Sequence, residues 1–262
     1  MIIRKIFLST IVFLSFSEIH LSSEITFDEI SNSDRIKQAQ EYFDAGEEEK
    51  ALDLYLTILN SNPNHYTALW KTSLIYTRKA RRQTTYEAQY AIYNTAKAYA
   101  SKSLNVHPNR PRSHYVYALA SAGLADDMPN SSERVRLIWD MKEYGERALQ
   151  MDPDYAPAWH LMGVWHSKVG SVSRAERVAA RVVYGTLPDG ASHSKAEEFL
   201  KRAIRMDPGV ILFHLDLAQH YQETGQRRKA IPVLEQVLTM QPVSQNDKLD
   251  LEEARERLRQ LM

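Results

Sequence analysis

Cysteine is absent from all 262 residues. Its absence excludes a disulfide framework, a thiolate metal site and a cysteine nucleophile, and it leaves the chain indifferent to the redox state of its compartment. An excess of charge of one sign is also missing. The 33 Lys plus Arg balance 33 Asp plus Glu, so no global field draws the protein to nucleic acid or to an anionic membrane. Electrostatic recognition therefore has to be local. No Gly-rich phosphate loop, Gly-x-Ser-x-Gly elbow or His-Glu-x-x-His arrangement occurs. These gaps leave no motif for catalysis, a cofactor or a metal, and a non-enzymatic protein with no cofactor is expected.

Long hydrophobic runs are missing too. The apolar stretch from Ile6 to Phe16 covers about 16 Å as a helix, about half of the hydrocarbon core of a bilayer. It follows Arg4 and Lys5 and precedes small polar residues, which is the order of a signal peptide. Residues 1–17 are read as that signal, with Ser23 as the alternative end, and an exported, periplasmic mature protein is expected. No cysteine follows the run to carry a lipid anchor. Cleavage after residue 17 leaves 31 basic against 33 acidic residues and no membrane-spanning segment.

What the chain does contain is helical periodicity with recurrent punctuation. Residues 18–33 read as a polar lead-in, and from Asp34 onward nothing alternates like a strand. The clearest unit is "LAQHYQETGQRRKAIPVLEQVLTMQP", residues 217–242. Leu217, Ala218 and Tyr221 precede a Gly225 turn, then come Ala230, Leu234, Val237 and Pro242. Small Ala218 and Ala230 let two helices approach closely, Gly225 supplies the turn, and Pro242 cannot continue the second helix. These are tetratricopeptide positions. The same spacing recurs at Ala39, Tyr42, Gly46, Ala51, Tyr55 and Pro63, and further units close at Pro108, Pro153 and Pro208.

The expected fold is thus all-α. Five tetratricopeptide-like repeats over residues 34–242 form a right-handed superhelical solenoid of helix pairs, followed by a C-terminal capping helix over 243–262. Wide spacing between the middle prolines implies inserted or lengthened helices. Thr84 with Glu87 and Ser173 with Glu176 have capping-box spacing at two insertions, and Ser194 with Glu197 at the second helix of the fourth repeat.

The stretches "HYTALWKTSLIY" (65–76), "RSHYVYALASAGL" (112–124), "AWHLMGVWHSKVG" (158–170) and "ERVAARVVYGTLPDGASHSKAEEFLKRAIRMDP" (176–208) resemble the regulator of microtubule dynamics family. The likeness covers roughly residues 37–260. Its most specific part is the fourth repeat, where Gly163, the Arg-containing insertion, "YGTLP" and "AEEFLKRAI" follow in order. The resemblance implies a tetratricopeptide-like array that acts by binding. The apparent secretory signal departs from cytosolic, microtubule-linked members, so the fold and the binding role carry over and the partner does not. A microtubule-associated role stands only if the N-terminus is retained.

A solenoid of this kind presents a concave surface lined mainly by the first helix of each pair. Projecting the repeat register points Trp70, Leu74, Tyr115, Leu119, His160, Val164, Leu215 and Gln219 inward, with Arg78 and Lys168 near the rim. This groove is expected to bind a protein or peptide partner whose identity the sequence does not give. The alternative is a groove filled by the protein's own inserted helices, and a homo-oligomer stays open. Arg78, Lys79, Arg81 and Arg82 form a basic rim that is either a solvated helix end or an acceptor for an acidic segment. Lys168, Arg174, Arg177 and Arg181, interrupted by Glu176, make a looser second cluster. His160 and His166 lie six residues apart, about 120° around a helix, where metal ligands need spacing of three or four. They are read as packed or groove-facing residues. A small-ligand or metal-dependent hydrolytic protein built on them is the alternative.

Overall fold

The computed structural model describes residues 27–126 and 128–262. The proposed signal peptide lies outside the described residues. Twelve helices and no strands occur among the described residues. They are α1 (Phe27–Asp44), α2 (Glu48–Ser61), α3 (Tyr66–Arg81), α4 (Tyr86–Val106), α5 (Pro111–Asp126), α6 (Ser132–Met151), α7 (Ala156–Gly170), α8 (Arg174–Val183), α9 (His193–Met206), α10 (Ile211–Glu223), α11 (Arg227–Val237) and α12 (Gln245–Leu261). None of them is long and apolar enough to cross a membrane. Because α1 begins at Phe27, residues 27–33 belong to a helix rather than to a polar lead-in.

Five hairpins organise the chain: α1/α2, α3/α4, α5/α6, α7/α9 and α10/α11. Helices α3 and α5, and α7 and α10, also touch, stacking the hairpins through their first helices. The small residues sit where helices come closest. Ala39, Ala51, Ala96, Ala118, Ala158, Ala196, Ala218 and Ala230 are all fully buried. A Cβ on Gly163 of α7 would lie 2.7 Å from Leu200 Cγ and 3.0 Å from the Leu200 backbone nitrogen of α9. Gly46 and Gly225 turn the first and last hairpins with φ of +76° and +71°, a left-handed conformation that side chains resist.

Helices α2, α4, α6 and α9 end two residues before Pro63, Pro108, Pro153 and Pro208. A second contact marks these junctions. His114, Trp159 and His214 each place a ring nitrogen against the carbonyl of the proline six residues earlier, at 2.6, 2.8 and 3.0 Å. Pro242 behaves differently: α11 stops at Val237, and Pro242 lies in the link to α12. The insertions lengthen α4 to 21 and α6 to 20 residues against 14 in α2, and in the fourth repeat they add α8. Ser173 and Glu176 form the expected capping box of α8. The other two caps move. Thr85 caps α4, accepting from the Ala88 N–H, and Ser192 caps α9, accepting from the Lys195 N–H, so Thr84 and Ser194 are not the capping residues.

The final helix does more than end the stack. The segment entering α12 returns to the start of the array, where Val243 and Ser244 pack against Gly46. Arg78 at the end of α3 donates to Ser244 Oγ (2.7 Å), Arg81 to Asp250 Oδ1 (2.7 Å) and Arg82 to Asn246 Oδ1 (2.8 Å), and Asn246 donates back to the Arg78 carbonyl (3.1 Å). The last helix thus bridges residues more than 160 positions apart and closes the curve.

Candidate functional site

The return of α12 narrows the concave face into a half-open cavity. A cavity of about 1030 Å³ lies inside the array, walled by α3, α5, α6, α7, α10 and α12, with α8 contributing Glu176, Ala179, Ala180 and Val183. Leu119, His160, Val164, Lys168, Leu215 and Gln219 line it, as the repeat register predicts. The other four projected residues do not. Trp70 and Leu74 pack onto the central core, and Tyr115, 7% exposed, sits edge-on to Tyr155 at 5.0 Å. Arg78 turns away to Glu48 and Ser244. The projected residues nearer the first two hairpins fall between helices rather than over the hollow.

The basic rim requires correction as an acceptor for an acidic partner. Its cations are paired with acids and polar groups of the same molecule while keeping part of their surface exposed. Glu48, 4% exposed, pairs with both Arg78 and Arg82, Lys79 reaches Glu49 (3.0 Å), and Arg81 holds buried Asp250. Burial raises the Asp250 pKa, and the neighbouring Arg81 charge opposes that shift. The cluster is neither a solvated end nor a free docking surface. It is the closure between α3 and α12.

Inside the cavity, charged groups are arranged in pairs over an apolar lining. His160 Nε2 lies 2.7 Å from Asp216 Oδ2, and its ring stacks on Phe213 at 4.6 Å. Burial works against the Asp216 anion, but the His160 hydrogen bond and the charges of His160, Arg81 and Lys168 prevail and hold its pKa below the usual value. Lys168 pairs with Asp126. Arg257 donates to Gln219 Oε1 (3.0 Å) and Gln222 Oε1 (3.1 Å) and pairs with Glu253. Arg134 reaches Asn130 Oδ1 (2.9 Å), while its Nε is buried without a hydrogen-bond partner.

His166 faces the other way. It lies against Trp165 and Phe199 beside a second cavity of about 420 Å³. Burial, then the charges of Lys195 and Lys142, lowers its pKa to about 4. The two histidines therefore serve different walls, as their spacing requires. Trp165 is buried, donating its indole N–H to the Ile138 carbonyl (3.3 Å), and Trp159 packs edge-on to Phe199. Ser167 Oγ and His220 Nδ1 stand 2.7 Å apart, and the His220 ring lies 5.6 Å from that of His193. Among the described residues no three His, Asp or Glu side chains converge as a metal centre needs.

Asp216, Arg134 and Arg257 are interior residues that sequence reasoning missed. Asp216 was accessible, because it follows Leu212 by four on the face that carries Leu215 and Gln219. Arg257 was not, since α12 belongs to no repeat and has no register to project.

A curved stack of helix hairpins around a half-open apolar interior with paired charges defines a helical-repeat protein of the tetratricopeptide class. The family model described as regulator of microtubule dynamics protein 1-3 matches residues 35–262, and the chain belongs to that family. Regulator of microtubule dynamics protein 1 of Bos taurus is 26% identical over 175 residues, covering 66% of this chain and 54% of that protein. The Pongo abelii protein of the same name is 23% identical over 208 residues, covering 78% and 65%. The chain thus matches roughly half to two thirds of the length of these relatives. Among solved structures, a thermophilic tetratricopeptide protein of Thermus thermophilus superposes with a TM-score of 0.61 at 16% identity, covering 86% of this chain and 99% of that one.

Proposed function

We propose that the protein is a non-enzymatic binding scaffold of the cell envelope, exported by its N-terminal segment, whose concave face holds a segment of a protein or peptide partner. The observation that carries this reading is the interior itself. The inner helices of successive repeats converge on one hollow whose volume is at the upper end of ordinary ligand sites. An α-helix with side chains is about 10–12 Å across, so the hollow has room for a short segment of a partner and not for a folded domain. Leucine and valine side chains would take its apolar residues, and the ends of the Asp216 and Arg257 networks would take its backbone groups.

The test is co-purification from the native envelope fraction with wild type and with Leu119→Trp and Val164→Trp, which fill the hollow. One partner retained by wild type and lost from both folded variants supports the reading. Unchanged recovery with all three sinks it. Mass spectrometry of the native N-terminus tests export. An intact N-terminus would return the chain to the cytosol and open the microtubule-linked role for which its relatives are named.

A second reading draws on the same cavity: a small molecule held against the His160–Asp216 pair. Recovery of a stoichiometric small ligand by native mass spectrometry, in place of a peptide, would favour it.

A further inference from the structure

Helix α8 is folded against the usual rule. None of its residues is buried, although the helix is strongly amphipathic. Val178 and Val182 are 65% and 81% exposed and, with Ala175, form an apolar face turned to solvent, while Ala179 and Val183 at its border also line the interior cavity. At 100° per residue, Arg174 and Arg181 fall beside Val178 on one border of that face. Both are exposed and pair with no acid among the described residues. Arg177, further round, anchors the helix to the body by donating to the carbonyls of Val169 (2.7 Å) and Pro188 (3.2 Å). The only acid on α8, Glu176, is engaged in the capping box on the opposite border. Just past the helix, half-exposed Trp139 of α6 donates its indole N–H to the Thr186 carbonyl (2.7 Å).

Three occupants are conceivable for an outward apolar face, and the dimensions separate them. Ten residues of helix give a strip about 15 Å long and about 10 Å wide, about 150 Å², far short of the roughly 800 Å² per partner that a stable protein interface buries. Antiparallel pairing with a second copy would bring the arginine border of one α8 against the arginine border of the other, and like charges repel. A lipid surface needs neither shape complementarity nor a wide footprint. It accepts a shallow apolar strip at the boundary between headgroups and acyl chains and draws flanking cations to anionic headgroups.

We infer that α8 is a membrane-docking element, which seats its valine face in an anionic phospholipid surface with Arg174 and Arg181 at the headgroups. The balanced overall charge does not oppose this, because docking is set by local cations. The inference is independent of what the interior cavity binds.

Vesicle flotation of the purified mature chain tests it, using phosphatidylcholine vesicles with and without phosphatidylglycerol. Wild type is expected to float with the anionic vesicles and to fall at least tenfold on neutral ones. Two variants, Val178→Ser/Val182→Ser and Arg174→Glu/Arg181→Glu, should each lose at least tenfold in partitioning. All of these side chains are exposed, so both variants should keep wild-type circular dichroism and melting temperature. Failure of wild type to float, or flotation unchanged in both folded variants, overturns the inference. A dimer seen by light scattering that disappears in the valine variant overturns it as well, because the face would then belong to a second copy.

Discussion

Gly46 and Gly225 allow the closure of the array to be weighed in one comparison. Both turn a hairpin at nearly the same positive φ, +76° and +71°. Replacing either by alanine forces a side chain into the left-handed region at about 1–2 kcal/mol. Around Gly225 nothing lies within 4 Å of the added Cβ, so Gly225→Ala should stop at that figure. At Gly46 the Cβ would collide with the Val243 carbonyl and lie 3.1 Å from Ser244 Cα, both backbone. Relief requires residues 243–244 to retreat. Retreat strains the Arg78–Ser244, Arg82–Asn246 and Asn246–Arg78 hydrogen bonds, each of net worth about 1 kcal/mol, more where charge assists. Gly46→Ala should therefore lose about 3–5 kcal/mol. Urea titrations followed by circular dichroism measure both values, and hydrogen exchange should show α12 amides losing protection in Gly46→Ala alone. Equal losses within about 0.5 kcal/mol, or unchanged α12 protection in Gly46→Ala, would refute the idea that α12 is fastened to the first hairpin.

Other perturbations report on the interior packing and its ionisable groups. Lys71 is 6% exposed, with its ammonium 3.8 Å from the Phe43 ring centre, and burial, against a partial opposing effect of Asp44, lowers its pKa to about 8. Below pH 8 the folded state carries this buried charge. Between pH 8 and 10.5 the folded protein releases the proton before the unfolded chain does, so stability rises with pH. Lys71→Met should stabilise by about 2 kcal/mol at pH 7, with the gain fading as pH rises from 8 to 10.5, as read from urea midpoints across pH. His166 acts in the acid range. Between pH 6.5 and its folded pKa of about 4, the unfolded chain binds the proton and the folded protein does not, so acidification destabilises by up to about 3 kcal/mol. A His166→Gln variant should flatten that part of the stability profile. Gly163→Ala should cost about 1–3 kcal/mol by overpacking α7 on α9, measured by thermal unfolding, because the new Cβ meets both Leu200 side chain and backbone.

The hairpins were legible because their requirements are local. A small residue at each helix crossing, a glycine at the turn and a proline past the second helix are each demanded by sterics within one repeat. The box at Ser173 and Glu176 was legible for the same reason. Where two capping residues compete, the spacing misleads: Thr85 and Ser192 already close the first turns of α4 and α9, which leaves Thr84 and Ser194 outside the capping position. The interior was legible only in part. Face directions projected Leu119, His160, Val164, Lys168, Leu215 and Gln219 correctly, but which of the projected residues border a hollow depends on curvature accumulated over the stack. The closure was invisible for that reason. Nothing near "RKARR" signals that Glu48 and Asp250 will arrive beside it, so a cation cluster that neutralises an internal seam reads as an exposed rim.

The proposed function places binding in the interior of the array. The most direct test is site-specific photocrosslinking in native cells, with a photoreactive residue at Gln219 inside the hollow or at exposed Glu235 on α11. A single discrete adduct from position 219, absent from 235, is the predicted result. Adducts from 235 with none from 219 would contradict it and move the binding surface to the outside of the array.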